Sequence, residues 1–342
     1  ATPAPPTPAR GAGKQSGLKT MRPSMLGKLL VVGASGGTGW RAMRGLMDVG
    51  YAAPQLRVVT RDPSKPVLEP LRQLGIELHA ADLDDPATLV GVGATCTGCY
   101  VHSLAGDTKK LDTGEVSRSR HLAQALHAEG SVRQVAFNSA AAEPSHGVKR
   151  IGQKHAVESV FSAEVGLPAT HLRANLFMEE LWKSYTRPSI LKGKFPLSLP
   201  PDRLVYLTSV RDMGRLAGTC LASAPPPASG RWLNVASEVS SPARMAEAFA
   251  AAQGTPCVHK KARLQRWVAR LLLPDLFEVI EFYRTSTETT DVPALQTEFP
   301  GLLTSFATFL DETGWCDPEL TYDDLRAAGC VAVDWPARQV KQ

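Results

Sequence analysis

The stretch Leu29-Leu-Val-Val-Gly33-Ala-Ser-Gly36-Gly-Thr-Gly39-Trp-Arg-Ala-Met constrains this chain more than any other: an apolar strand turns through spaced glycines straight into a helix. Each glycine has its own physical task. Gly33 suits a tight turn that a Cβ blocks, Gly36 lets the backbone approach a diphosphate, and Gly39 lets the helix pack close to the strand. The unpaired N–H groups and dipole of the helix start then favour an anion. The spacing is Gly-x-x-Gly-x-x-Gly rather than the commoner Gly-x-Gly-x-x-Gly, so the residues that follow must support it.

Further along, Gln55–Thr60, Ile76–Ala80, Cys99–His102 and Val132–Phe137 read as strands, with helical stretches between them, most clearly 116–128. Trp40, Met43, Leu46 and Met47 share one face of the first helix, which Gly50 ends. Alternation of this kind implies βαβ crossovers and an α/β, doubly wound parallel sheet, with ligands bound beyond the carboxyl ends of the strands. A helix-rich part follows. Ser240 or Ser241 caps a helix that starts at Pro242 and stops before Gly254, and Leu264–Arg284, broken at Pro274, and Gly301–Thr313 read as further helices. The division expected is a Rossmann dinucleotide-binding domain over 26–175, completed by 203–237, and a smaller substrate or partner region over 176–202 and 238–342.

Residues 1 to about 25 are rich in Pro, Ala, Gly, Ser and Thr and lack acids. They read as a disordered tail or the remnant of an organelle transit sequence. Arg10, Lys14, Lys19, Arg22 and Lys28 account for the whole net charge of +5; setting them aside leaves 33 residues of each sign. A neutral body argues against nucleic-acid binding, and no apolar run approaches the length of a membrane span. Six cysteines in 342 residues make no disulfide framework, so the expected setting is soluble and reducing: the cytoplasm, with a plastid or other organelle left open by the basic tail. Cys96-Thr-Gly-Cys99 has redox spacing but lies just before a predicted strand, where small buried thiols are the better reading. The histidines form no metal set by spacing.

Gly33-Ala-Ser-Gly-Gly-Thr-Gly39, Thr60-Arg-Asp-Pro63, Ala81-Asp-Leu-Asp84, Lys154-His-Ala-Val-Glu158, Leu172-Arg-Ala-Asn-Leu-Phe-Met178 and Val210-Arg-Asp-Met-Gly214 together resemble the NmrA-like branch of the atypical short-chain dehydrogenases. The likeness runs from about residue 28 to 255. It implies a cofactor site of Gly33, Ser35, Gly36, Gly37, Thr38, Gly39, Arg61, Asp82, Leu83, Ser103 and Lys154. Arg61 stands where NAD-specific sheets carry a carboxylate for the ribose 2′-hydroxyl, and a guanidinium there suits the 2′-phosphate of NADP(H), with NAD(H) second. Asp62 is placed to pair with Arg61 or to face a ribose hydroxyl. Asp82 and Leu83 match the family's adenine-edge contact, and Asp82 equally suits a helix cap.

The resemblance also implies a hydroxyl at Ser139 that polarises a substrate oxygen, and a lysine, Lys154, on the following helix. The tyrosine expected four residues before that lysine is absent, and Arg150 stands there. A guanidinium does not relay protons near neutral pH. Two readings follow: an NADPH-dependent reductase of a small carbonyl, quinone or conjugated compound using Ser139 and Lys154, or a dinucleotide-sensing regulator whose partner is another protein. Lys154 is also spaced to pair with Glu158 one turn later. His146 in the loop before this helix is a candidate replacement proton donor, and Tyr100 and Tyr185 are candidates to reach the cleft.

Overall fold

The computed structural model describes residues 26–34, 38–105, 111–142, 147–260 and 274–325. Ser35, Gly36, Gly37, His146, the tail up to Met25 and the first half of the expected helix 264–284 lie outside them.

Seven parallel strands form the central sheet: β1 (Lys28–Val32), β2 (Leu56–Thr60), β3 (Glu77–Ala80), β4 (Cys96–Val101), β5 (Val135–Ala140), β6 (Ala169–Ala174) and, later in the chain, β10 (Arg231–Val235). Their spatial order is β10-β6-β5-β4-β1-β2-β3. The order reverses between β1 and β4, which opens the crevice where such sheets take ligands. Val31, Tyr100, Ala136 and Leu172 bury one face under α1 (Gly39–Asp48) and α6 (Val210–Ala222). Leu30, Val101, Phe137 and Ala169 bury the other under α3 (Glu115–Glu129) and α4 (Lys149–Ser159), which runs on as a π-helical turn, Val160–Glu164. Strand pleating divides the residues in this way, because successive side chains point to opposite faces.

α1 and α6 touch through their backbones. A Cβ on Gly214 would sink into the Ala42 carbonyl and one on Gly45 into that of Arg211, so only glycine permits this approach. A third core gathers Met178, Trp182, Phe195, Phe249, Phe306 and Trp315 from beyond β6. The short strands β7 (Leu176–Phe177), β8 (Lys194–Phe195) and β9 (Val205–Thr208) contribute to it, and β11 (Glu238–Ser240) and β12 (Val258–His259) pair with β9 and β8. Helices complete this part: α5 (Arg187–Leu191), α7 (Pro242–Gln253), α8 (Pro274–Thr285), α9 (Val292–Glu298) and α10 (Phe306–Glu312). The short helix α2 (Glu69–Gln73) lies before β3.

Three sequence readings shift. β5 lies three residues later than expected at both ends: its pairing with β6 begins at Val135, and Asn138, Ser139 and Ala140, though polar or small, continue it. Cys96 and Cys99 lie inside β4, buried, and burial pushes both thiols up, so neither is a reactive thiolate. The last helix begins at Phe306, five residues after Gly301, where the Ser305 hydroxyl accepts from the Thr308 amide and caps it. The helix after Ser241 is as expected, with Ser241 accepting from Arg244 and Gly254 left-handed.

Among the described residues no helix is long and apolar enough to cross a membrane, and no cluster of side chains has metal-ligand composition.

Candidate functional site

β1 ends at Val32 and the chain turns at Gly33, whose φ of +81° favours glycine. A side chain there would collide with the backbone of Ser103, just beyond β4. A Cβ on Gly39 would stand 2.5 Å from the Gly33 carbonyl oxygen and 2.6 Å from Ala34 Cα, so this glycine is what lets α1 start directly over the turn. These two positions have the tight turn and close helix start that a diphosphate cradle requires.

Arg61, the first residue past β2, is exposed, and among the described residues it has no hydrogen-bond or ionic partner. Asp62 does not pair with it. Its carboxylate accepts from the Ser64 amide at 2.9 Å and the Ser64 hydroxyl at 2.5 Å, and these bonds hold it below the usual carboxylate range. After β3, Asp82 accepts from the Asp84 amide at 3.0 Å, an Asx turn, while the cap of the next short helix is Asp85, bonded to Ala87 N. The Leu83 carbonyl bonds His121 Nδ1 at 2.8 Å. Arg118 on α3 ties these loops together, donating to Asp84 (2.8 Å), to Asp112 (2.6 Å) and to the Leu104 carbonyl (3.1 Å). It thereby fixes both sides of the crevice beyond β3 and β4.

Lys154 and Ser139 are both engaged with carboxylates. Lys154 donates to Glu115, a nearly buried residue in the first turn of α3, and stands over the Phe137 ring at 5.7 Å. Its spacing to Glu158 is not used. Glu158 instead takes a bidentate pair from Arg173 (2.9 and 2.7 Å), the Ser139 hydroxyl (2.6 Å) and the Trp232 indole N–H (2.9 Å). Burial alone raises a carboxyl, but the Arg173 and Ser139 bonds hold Glu158 below its ordinary value. Ser139 thus belongs to an ionic knot that joins α4 to β5, β6 and β10. Arg150 occupies the first turn of α4. Tyr185 is largely exposed and donates to Glu180, and Tyr100 is wholly buried, its hydroxyl meeting His102 in the interior.

His102 is the polar residue that strand spacing conceals. It is buried at the carboxyl end of β4, with Nε2 2.9 Å from Thr38 Oγ1 and Nδ1 3.0 Å from the Tyr100 hydroxyl. Burial, with the Lys154 charge adding to it, depresses its imidazole to about 4, so it is neutral near pH 7. Its place at a strand's carboxyl end was the available signal. Glu115 and Arg118, just before and within the stretch read as helical over 116–128, offered none.

A cavity of about 480 Å³ opens beyond β5 and β6. Ala141 and Asn175 form its sheet side, Tyr206 and Leu204 one wall, and Phe282 and Tyr283 of α8 another. Phe282 also packs on Val148 and Ile151, which joins this wall to the start of the helix that carries Lys154.

The reversed strand order, the Gly33 turn and the close start of α1 define a Rossmann-type dinucleotide fold. The chain belongs to the NmrA-like family, whose model matches residues 25–292. Solved structures of the same fold include Citrobacter sp. triphenylmethane reductase complexed with NADP(H) (18% identity, TM-score 0.66, 83% of this chain and 99% of that one). An NADPH-dependent quinone oxidoreductase from Escherichia coli, complexed with NADPH, is similar (18%, 0.64, 83% and 98%). So is the negative transcriptional regulator NmrA in complex with NAD (16%, 0.67, 84% and 95%).

Proposed function

We propose that this protein binds NADP(H) in the crevice between β1 and β4 and is an NADPH-dependent reductase of a small carbonyl, quinone or conjugated compound. The observation that carries the cofactor is Arg61, an exposed guanidinium at the carboxyl end of β2 that has no partner among the described residues. A 2′-phosphate gives it the charge-assisted bonds it lacks. Gly33, Thr38 and Gly39 accept the diphosphate together with Ser35, Gly36 and Gly37, which lie between them in sequence, and Asp82, Leu83 and Ser103 border the adenosine and ribose side. The cofactor, when bound, supplies a hydride.

The cavity at Asn175 and Tyr206 holds the substrate, and its aromatic walls suit a flat, partly apolar molecule. Lys154 is the side chain proposed to orient the nicotinamide ribose or to protonate a reduced oxygen. Ser139 polarises that oxygen only after exchanging its bond to Glu158. Incubating the protein with NADPH and a panel of quinones and enals, and following the loss of cofactor absorbance, tests this. Turnover that falls in Lys154→Ala supports it, and tight NADPH binding without turnover sinks it.

A second reading, a dinucleotide-sensing regulator that acts through a protein partner, is favoured by one finding. Both groups proposed for catalysis already have carboxylate partners, Glu115 and Glu158. On this reading NADPH binds, nothing turns over, and the occupied and empty forms differ in affinity for the partner.

A further inference from the structure

Tyr100, His102 and Thr38 form a polar relay from the core to the start of α1. The main chain of His102 is fixed on both sides: its N–H donates to the Val32 carbonyl (2.9 Å), and its carbonyl accepts from Asn138 Nδ2 (3.0 Å). Tyr100 is fully buried among Val31, Ala136 and Leu172, and among the described residues its hydroxyl has no partner but His102. Thr38 occupies the N-cap position of α1, yet its side chain makes no capping bond; its hydroxyl meets His102 instead.

We propose that this relay holds His102 as the Nε2–H tautomer, which donates to Thr38 and leaves the Thr38 hydroxyl proton for a diphosphate oxygen of the bound dinucleotide. The second half rests on the reading that the chain binds NADP(H). Donor accounting carries the argument. A neutral imidazole has one N–H. Were it on Nδ1, it would donate to the Tyr100 oxygen, the phenol proton would face apolar walls, and Thr38 would spend its own proton on Nε2. With it on Nε2, the phenol donates to Nδ1 and the ring donates to Thr38. The phenol and the imidazole N–H then each have an acceptor, as the large majority of buried polar groups in native interiors do. The threonine proton is left over beside the glycine turn, where an anion makes it a charge-assisted donor. His102 is therefore a positioning residue and touches no ligand itself.

Long-range 1H–15N correlation spectra of protein labelled with 15N-histidine read the tautomer, with His102 assigned by its missing signals in His102→Gln. The Nε2–H form is expected, giving way to a mixture in Tyr100→Phe, which lacks the phenol donor. An Nδ1–H form in the unaltered protein overturns the proposal, whether or not a dinucleotide binds. In a second arm, Thr38→Val weakens ADP-ribose, which has the diphosphate, about tenfold. It leaves adenosine 2′-monophosphate unchanged, and Thr38→Ser keeps both. Equal weakening of the two ligands, or of neither, removes the hydroxyl from the site. Failure of the unaltered protein to bind either ligand overturns the cofactor reading instead, and the spectra still decide the tautomer.

Discussion

Lys154 is paired with Glu115 of a neighbouring helix, 39 residues earlier, and not with Glu158 one turn along its own helix. The two carboxylates divide the work. Glu115 holds the ammonium at the end of the sheet, while Glu158 neutralises Arg173 in the interior. This separates Lys154 from the knot that ties α4 down, while Ser139 stays within that knot. A double-mutant cycle checks it: Lys154→Ala with Glu115→Ala gives a coupling of about 1 kcal/mol, and Lys154→Ala with Glu158→Ala a coupling near zero. Glu158→Ala alone costs about 3–5 kcal/mol in urea unfolding, because Arg173 is left without its carboxylate.

Arg61→Ala is expected to weaken NADPH by about 10- to 100-fold and NADH by far less, since the lost bonds go to the phosphate alone. Isothermal titration with both cofactors decides it. Equal losses, or none, remove Arg61 from the site.

Glycine substitutions in helices are expected to act in opposite directions according to what each one faces. Gly214→Ala drives a methyl group into the Ala42 carbonyl and forces α6 away from α1, at a cost of about 1–3 kcal/mol. Gly152→Ala on α4 meets nothing within 4 Å and gains about 0.5–1 kcal/mol from helix propensity. Thermal unfolding of the two variants gives shifts of opposite sign.

Stability falls in mild acid. Burial depresses both His102 and His171 to about 4, so as pH drops below the ordinary 6.5 the unfolded chain takes up protons that the folded one refuses. The loss begins near pH 6.5, grows until the folded groups titrate, and approaches about 3 kcal/mol per histidine. Glu179 acts in the opposite sense. Burial raises its carboxyl to about 7 against the pull of Arg41 and the Val210 amide, so its contribution is fullest below pH 4.5 and is lost as pH rises through 7. Urea unfolding of the unaltered protein and of His102→Gln between pH 7.5 and 5 isolates the histidine: the acid slope is shallower by about one proton in the variant.

The sequence by itself determined the sheet and the cradle. Apolar runs of strand length, alternation with helices and the spacing of Gly33 and Gly39 are local properties, and backbone sterics turn them directly into β1, the turn and the start of α1. The place of Arg61 just past β2 was legible for the same reason, because it counts from a strand end. Partners were not legible. Lys154 had a neighbour at helical spacing and took a distant one; Asp62 turned to Ser64, and Asp82 closed a local turn while Asp85 took the cap. Ser139 joined Glu158. Only the tertiary structure decided these, since charge and hydrogen bonding act through space, and β5, α3 and α4 bring together groups that the chain holds far apart. His102 shows the difference most plainly: in the sequence it is a polar residue closing a strand, and in the fold it lies between a buried phenol and the threonine of the turn.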